Sequence, residues 1–178
     1  MDLAAIVAAL DGLAATDFSG RAYRHVSEGR DPLSGEGARL TGGRWNPPGS
    51  FAVLYLALDV PTTVNELRRS AARQGLVPAD FLPRELYTYE LRLQHVIDLR
   101  IDTHARAVGL QEGWLSDEDA TACQAVGEAA HHVGFEALLA PSAAGPGEVL
   151  AVFLDRTLPD SLVKDIASER WEDVPAMD

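Results

Sequence analysis

A turn-rich segment that leads directly into an apolar run constrains the fold of this chain more than any other feature. Residues 42–49 read Gly-Gly-Arg-Trp-Asn-Pro-Pro-Gly, and residues 52–58 read Ala-Val-Leu-Tyr-Leu-Ala-Leu. Residues 27–50 as a whole hold six of the fifteen glycines and three prolines, which predicts a long irregular loop. The apolar run that follows is short enough for a buried strand. Loops of this length within a compact domain commonly carry function.

A helix is predicted after this strand, from Pro61 to about Gln74. One face of that helix collects the apolar residues Val60, Val64, Leu67 and Ala71. Glu66 lies roughly 120° from the apolar face, so its carboxylate can point into a cleft. The alternative is an ordinary surface pair between Glu66 and Arg69 or Ser70, one helical turn away.

Three side chains of this region suit one kind of ligand. Arg44 supplies a guanidinium, which binds phosphate through two parallel hydrogen bonds. Tyr55 supplies a flat face for stacking, although an equally good interpretation places it in the core. Glu66 supplies a carboxylate that can hold a ribose hydroxyl and stabilise an oxocarbenium-like carbon. Together they indicate a phosphorylated sugar.

The overall composition excludes several classes of protein. The 178 residues fit one domain, spanning 1–178, and the formal net charge is -12. So acidic a chain is not expected to bind nucleic acid directly, because that requires a basic surface. The acidity suits a basic protein partner, and it suits an ordinary acidic cytosolic surface equally well.

Neither a membrane protein nor a metalloprotein is predicted. No apolar run is long enough to span a membrane, and Asp2 stands where a signal peptide would be basic, so we expect a cytoplasmic protein without membrane contact. His131 and His132 are adjacent and would point about 100° apart on a helix, so we predict no metal site. The single cysteine, Cys123, lies in an apolar helical run and reads as a small buried side chain.

The predicted elements alternate without repeated strand–helix–strand units, which favours an α+β fold over a doubly wound sheet. We predict helices over residues 3–13, 61–74, 117–133 and 161–171, the third beginning with a capping box of Ser116 and Asp119. We predict strands over residues 21–26, 52–58, 87–93, 96–99, 136–140 and 149–154.

The motifs taken together resemble the RES-domain family, the toxins of bacterial toxin–antitoxin pairs. The resemblance is carried by residues 35–39 (Gly-Glu-Gly-Ala-Arg), by residues 42–47 (Gly-Gly-Arg-Trp-Asn-Pro), by Tyr55 and Glu66, and by residues 140–142 (Ala-Pro-Ser). It covers about residues 20–155. The form Leu-Ser-Gly-Glu-Gly-Ala-Arg at residues 33–39 is most similar to the mycobacterial, NAD+-degrading branch of the family.

The resemblance implies a fold like that of the ADP-ribosyltransferases and the cleavage of NAD+ at its nicotinamide–ribose bond, by water or by phosphate. It implies no cofactor, since NAD+ is the substrate and phosphate a possible co-substrate. Carried over by position, Glu66, Tyr55 and Arg24 are the catalytic residues, and Arg44 and Ser142 bind substrate. The implied partner is a helix-turn-helix (Xre-like) antitoxin that covers the active site.

Two other functions stay open at this point. One is a mono-ADP-ribosyltransferase of the same fold, which would modify a protein target. The other is a non-catalytic module whose acidic face binds a basic partner. The family pattern also departs at residues 143–147, where Ala-Ala-Gly-Pro-Gly replaces a more polar stretch, so the role of Ser142 needs structural evidence.

Overall fold

One mixed sheet organises the molecule, for which the computed structural model describes residues 2–176. Within those residues the strands are β1 (Thr16–Ser27), β2 (Leu54–Ala57), β3 (Arg84–Asp98), β4 (Ala137–Pro141), β5 (Glu148–Val152) and β6 (Leu162–Trp171). The helices are α1 (Leu3–Asp11), α2 (Glu36–Thr41), α3 (Val60–Arg73), α4 (Asp102–Ala107) and α5 (Thr121–Val133). Short 3₁₀ turns lie at Pro78–Phe81 and Leu154–Arg156.

The sheet closes on itself. Its strand order is β1-β2-β5-β4-β3-β6, and β1 also pairs with β3. The β3–β4 pair is parallel, whereas β1–β2, β1–β3, β2–β5, β4–β5 and β3–β6 are antiparallel. A mixed sheet with helices packed around it confirms the α+β prediction.

The core forms on both sides of the sheet. One cluster joins α1 and α5 to the strands through Leu10, Val126 and Ile97. A second fills the interior of the closed sheet with side chains such as Leu56, Leu91 and Leu150. Alternation along each strand sends neighbouring side chains to opposite faces, which is why one strand can serve both clusters.

Helix α3 forms where the sequence predicts it. The Asp59 carboxylate accepts a 2.6 Å hydrogen bond from the backbone N–H of Thr62 and so caps the helix. Pro61 lies in the first turn, where a missing N–H costs nothing. Val64 and Leu67 are buried, so the apolar face packs inward and leaves the Glu66 flank beside the sheet.

The predicted C-terminal helix is wrong. Strand β6 (Leu162–Trp171) occupies this segment and runs antiparallel to β3, from the pair Leu162–Arg92 to the pair Trp171–Arg84. Tertiary contacts explain why this segment is a strand. The long strand β3 offers a free edge, and Trp171 is buried in a cluster with Leu86. Pairing with that edge outweighs the weak helical preference of the segment.

Other boundaries also differ from the sequence prediction. The strands predicted over residues 87–93 and 96–99 are one continuous strand, β3. Helix α5 begins at Thr121, since the Asp119 carboxylate accepts hydrogen bonds from the Thr121 N–H and hydroxyl, and Ser116 lies outside the helix. The predicted irregular loop contains α2, and α4 was not predicted at all.

Candidate active site

The main cleft opens where β1 and β2 separate. These strands share one ladder pair, Tyr23 with Ala57, so their edges are free on either side of it. The cleft has a volume of about 580 Å³, within the range of small-molecule sites. It is lined by β1, β2, α3, residues 42–45 and the turn after β4. Arg24, Arg44, Tyr55 and Glu66, chosen from the sequence, all line it.

Glu66 is held in place by Ser142. The Ser142 hydroxyl donates a 2.7 Å hydrogen bond to Glu66 Oε1 and accepts a 3.0 Å bond from the Ala144 backbone N–H. Ser142 is itself buried, and its N–H donates to the Gly147 carbonyl. The turn between β4 and β5 is therefore built to orient one hydroxyl toward the carboxylate. The surface pair of Glu66 with Arg69 or Ser70, considered from the sequence, gives way to this contact with Ser142.

The Tyr55 hydroxyl serves the loop rather than the open cleft. It accepts a 2.9 Å hydrogen bond from the Trp45 N–H and donates a 2.8 Å bond to Asn46 Oδ1. Burial raises the pKa of Tyr55 well above its usual value, which keeps the phenol neutral. Tyr55 can therefore contact a ligand through the part of its ring that lines the cleft. Its assignment as a catalytic residue stays a prediction.

Asn46 is a structural residue that sequence reasoning passed over. Its side chain is fully buried, and its amide donates to the Ala38 carbonyl at 2.8 Å while its oxygen accepts from Tyr55. It therefore joins α2, the loop and β2. A buried amide with both ends paired fixes a single loop conformation.

Glycines let the loop lie close to its neighbours. A β carbon at residue 43 would lie 2.5 Å from the Tyr55 hydroxyl oxygen, and one at residue 127 would lie 1.8 Å from the Trp45 carbonyl oxygen. The loop thus rests on β2 on one side and on α5 on the other. Trp45 is almost fully buried and packs edge-on against Trp114, so it anchors the loop by packing.

Arg24 lies on β1 and fastens the segment that precedes α2. One of its terminal nitrogens donates to the carbonyls of Pro32 and Ser34, at 3.0 and 2.9 Å. Burial lowers the pKa of the Arg24 guanidinium, and the neighbouring Tyr89 hydroxyl opposes that shift. Arginine stays charged in proteins, so the cleft wall carries a fixed positive charge here.

Arg44 extends from the loop to the segment between α4 and α5. Its guanidinium donates to the carbonyls of Trp114 and Asp117, at 3.3 and 3.1 Å, and lies 3.7 Å from Cys123 Sγ. Both carbonyls are neutral, so none of these hydrogen-bond partners neutralises the positive charge of Arg44. Burial raises the pKa of the Cys123 thiol, which fits a packed side chain better than a nucleophile.

Two further arginines line the cleft that were not predicted from the sequence. Arg69 and Arg73 follow Glu66 on the same helix. Arg69 NH2 lies 3.1 Å from Glu118 Oε1, and Arg73 Nε lies 3.4 Å from Glu118 Oε2. Their spacing of three and seven residues from Glu66 places them on a similar side of the helix, which is the signal that could have identified them.

His25 adds an unusual group to the cleft wall. Its Nδ1 is buried and has no hydrogen-bond partner within the described part of the chain. Burial, together with the nearby positive charges of Arg84 and Arg24, lowers the pKa of His25 to about 3. The imidazole is therefore neutral at pH 7.

Over residues 2–176, no group of three or more histidine, cysteine, aspartate or glutamate side chains is placed to hold a metal ion. In the same stretch, no helix combines the length and the apolar character needed to cross a membrane.

Known proteins are similar to this chain in sequence and in fold. The model of the RES domain family matches residues 20–172. The chain is 35% identical over 159 residues to the NAD(+) phosphorylase MbcT of Mycobacterium tuberculosis and to that of Mycobacterium bovis, covering 88% of this chain and 86% of each relative. A chain in the crystal structure of the M. tuberculosis MbcT–MbcA toxin–antitoxin complex superposes with a TM-score of 0.83 and 32% identity, over 94% of this chain and 92% of that one.

Proposed function

This chain belongs to the RES domain family, and from that membership we propose that it is a toxin that degrades NAD+ by cleaving the nicotinamide–ribose bond. The whole of residues 1–178 acts as one RES unit. NAD+ is the substrate, and the protein needs no cofactor. The curated relatives at 35% identity are named for an NAD+-cleaving activity, which supports the reaction class.

One observation carries the proposal furthest. The Glu66 carboxylate is fixed by a buried hydroxyl in a cleft that several arginines line. A fixed negative charge is what a developing oxocarbenium ion requires, and it acts most strongly where water is partly excluded. The arginines supply the complementary charge for a pyrophosphate. The cleft therefore offers positive charge to the pyrophosphate of the substrate and negative charge to the oxocarbenium-like transition state.

The reaction requires little proton transfer. Nicotinamide in NAD+ is already cationic, so it leaves with the electron pair of the broken C1′–N bond as a neutral molecule. Glu66 stabilises the positive charge that develops on the ribose, and it can hold a ribose hydroxyl in place. Ser142 acts through Glu66 and is a positioning residue. Arg24, Arg44 and the ring of Tyr55 hold the substrate.

We propose phosphate as the acceptor. A phosphate oxygen forms the new bond to C1′, so that the products are nicotinamide and ADP-ribose phosphorylated at that carbon. The name of the relatives, NAD(+) phosphorylase, favours phosphate over water. A protein acceptor would make the chain a mono-ADP-ribosyltransferase, and the products separate these three cases.

A toxin of this kind needs a cognate inhibitor. We propose an antitoxin with a helix-turn-helix (Xre-like) part, which covers the cleft and inserts an acidic group beside the arginines. A solved relative is a toxin–antitoxin complex, which supports an antitoxin of some kind. We place the action in the cytoplasm, where NAD+ is present and the net charge of -12 can meet a basic partner.

Purified protein incubated with NAD+ tests the reaction. Free nicotinamide and the phosphorylated ADP-ribose are measured by chromatography, with phosphate and in a phosphate-free buffer. We expect rapid turnover with phosphate and a loss of about 100- to 1,000-fold in Glu66→Gln, which removes the charge at nearly constant shape. If the product is free ADP-ribose, the acceptor is water and not phosphate. ADP-ribose attached to protein would support the transferase.

Expression in bacteria tests the biological role. The wild-type chain is expected to arrest growth and lower the cellular NAD+ level, whereas Glu66→Gln should permit growth at equal protein level. Co-expression of the cognate helix-turn-helix antitoxin proposed above should restore growth. Normal growth and an unchanged NAD+ level on strong expression of the wild-type chain would refute the toxin assignment.

A further inference from the structure

The segment between α4 and α5 places a carboxylate against two cleft arginines. Glu118 bridges Arg69 and Arg73, giving one oxygen to each guanidinium at 3.1 and 3.4 Å. A phosphate group offers the same arrangement, with two oxygens of one anion facing two guanidinium groups. Glu118 therefore stands where an anionic ligand of these arginines would bind.

We propose that Arg69 and Arg73 form a subsite for the pyrophosphate of the substrate, and that Glu118 occupies this subsite until the substrate displaces it. The proposal rests on the proposed function, since it assumes a dinucleotide substrate. Glu118 then acts as an internal competitor that sets the affinity for NAD+.

The position of the two arginines suits a pyrophosphate. Arg69 and Arg73 lie three and seven residues after Glu66 on α3, which corresponds to about 4.5 and about 10.5 Å along the helix axis. A dinucleotide whose reacting ribose lies at Glu66 would extend its phosphates along this row. Both arginines also line a second, shallow cavity of about 590 Å³, which continues past Ala143 and Ala144. That cavity gives the rest of the dinucleotide a place to lie.

The partners of the cleft arginines distinguish this pair from the others. Arg24 and Arg44 donate to neutral backbone carbonyls. Arg69 donates to the Ala143 carbonyl and also pairs with Glu118. Glu118 is thus the carboxylate in the ion pairs of both Arg69 and Arg73. An anion that enters the cleft exchanges with this carboxylate without breaking the packing of the fold.

A ligand can displace Glu118 from Arg69 and Arg73. The Glu118 side chain is 68% exposed and that of Arg73 is 57% exposed, so their ion pair is worth little. The backbone beside Glu118 is held separately, by the bond from Arg44 to the Asp117 carbonyl. The Glu118 side chain can therefore leave the arginines while its segment stays anchored.

Steady-state kinetics with two single variants and their double variant tests the competition. Glu118→Gln should lower KM for NAD+ about two- to fivefold with kcat unchanged, as expected for the loss of an exposed competitor. Arg73→Gln should raise KM about threefold or more. Arg73 is the better choice, since Arg69 also contacts Ala143 next to Ser142. Asp102→Asn is the matched control, because it removes one negative charge from the exposed pair with Arg106 on α4.

The double variant separates displacement from a general effect of charge. If Glu118 acts by masking Arg73, the effect of Glu118→Gln on KM should shrink to less than half in the Arg73→Gln background. An equal effect in both backgrounds, or one that matches Asp102→Asn, would overturn the proposal.

Titration with inorganic pyrophosphate keeps this proposal separate from the proposed function. Calorimetry on the Glu66→Gln protein should show tighter pyrophosphate binding when Glu118→Gln is added and weaker binding when Arg73→Gln is added. If the wild-type chain leaves NAD+ intact, the proposed function fails, and this titration still tests the anion subsite. Binding that is the same in all three proteins would overturn the subsite.

Discussion

Ser142 donates a 2.7 Å hydrogen bond to the carboxylate of Glu66, a residue 76 positions earlier in the chain. The contact joins the turn after β4 to the middle of α3, and it fixes the direction of a carboxylate on the wall of the cleft. It also gives Ser142 a definite part in the site, that of holding Glu66.

Ser142→Ala should lower kcat about 10- to 100-fold, because a hydrogen bond to a charged group is worth ~1.5–3 kcal/mol. KM should change little, and a stability loss of about 1–3 kcal/mol is expected, because the Ala144 N–H also loses its acceptor. The measurement is steady-state nicotinamide release. Ser70→Ala is the control, since Ser70 lines the same cleft and its hydroxyl is bonded to Gln74. A kcat loss of the same size in both variants would remove Ser142 from its positioning role.

Tyr55→Phe should act on the loop. The change removes the hydroxyl that the Trp45 N–H and Asn46 use, so we expect a stability loss of about 1–3 kcal/mol. The ring remains, so kcat at saturating NAD+ should stay within about tenfold of wild type, well short of the loss expected for a reacting group. Urea unfolding and kinetics measure the two effects. A larger fall in kcat with unchanged stability would instead indicate direct chemistry at the hydroxyl.

Gly127→Ala should dislodge the loop from α5. The added methyl group would lie 1.8 Å from the Trp45 carbonyl oxygen, and we expect a loss of about 2–4 kcal/mol together with weaker NAD+ binding. Gly37→Ala is the matched control, because a β carbon there meets nothing within 4 Å. That control should be neutral or slightly stabilising in α2. Equal stability of the two variants would contradict the close packing of loop and helix.

The pKa of His25 predicts a pH dependence of folding. Its pKa is lowered from 6.5 to about 3, so the unfolded chain binds a proton in this range that the folded chain does not. The stability contributed by neutral His25 is thus fully present above the unfolded pKa and is lost as the pH falls toward the folded one.

His25→Phe removes this titration and keeps a ring beside Trp171. The free energy of unfolding should therefore fall less in the variant than in wild type between about pH 7.5 and about pH 5. Urea unfolding at both pH values measures the difference. Parallel losses in the two proteins would assign the pH dependence to other groups.

Much of the site was predictable because it is local. Residues 42–49, Tyr55 and Glu66 lie close in sequence, so the loop, β2 and α3 bring them to one cleft. The α+β class also followed from the irregular order of elements.

The features that could not be predicted from the sequence depend mostly on contacts between residues far apart in the chain. Strand β6 was predicted as a helix because the free edge of β3, which decides its conformation, lies about 80 residues earlier. The contact of Glu118 with Arg69 and Arg73 needs the placement of a segment whose own sequence has no strong pattern. Tyr55 was expected either to stack on a ligand or to lie in the core, and only the distances of its hydroxyl to Trp45 and Asn46 show that the loop uses it.

The single ladder pair between Tyr23 and Ala57 has a consequence for amide hydrogen exchange. Strand β1 is bonded along one edge to β3, whereas its residues Tyr23, Arg24 and His25 line the cleft. Since successive N–H groups of a strand point to opposite edges, protection should alternate residue by residue along β1. The rapidly exchanging amides would then mark the cleft wall, and their slowing on addition of a ligand would report that the cleft has been filled.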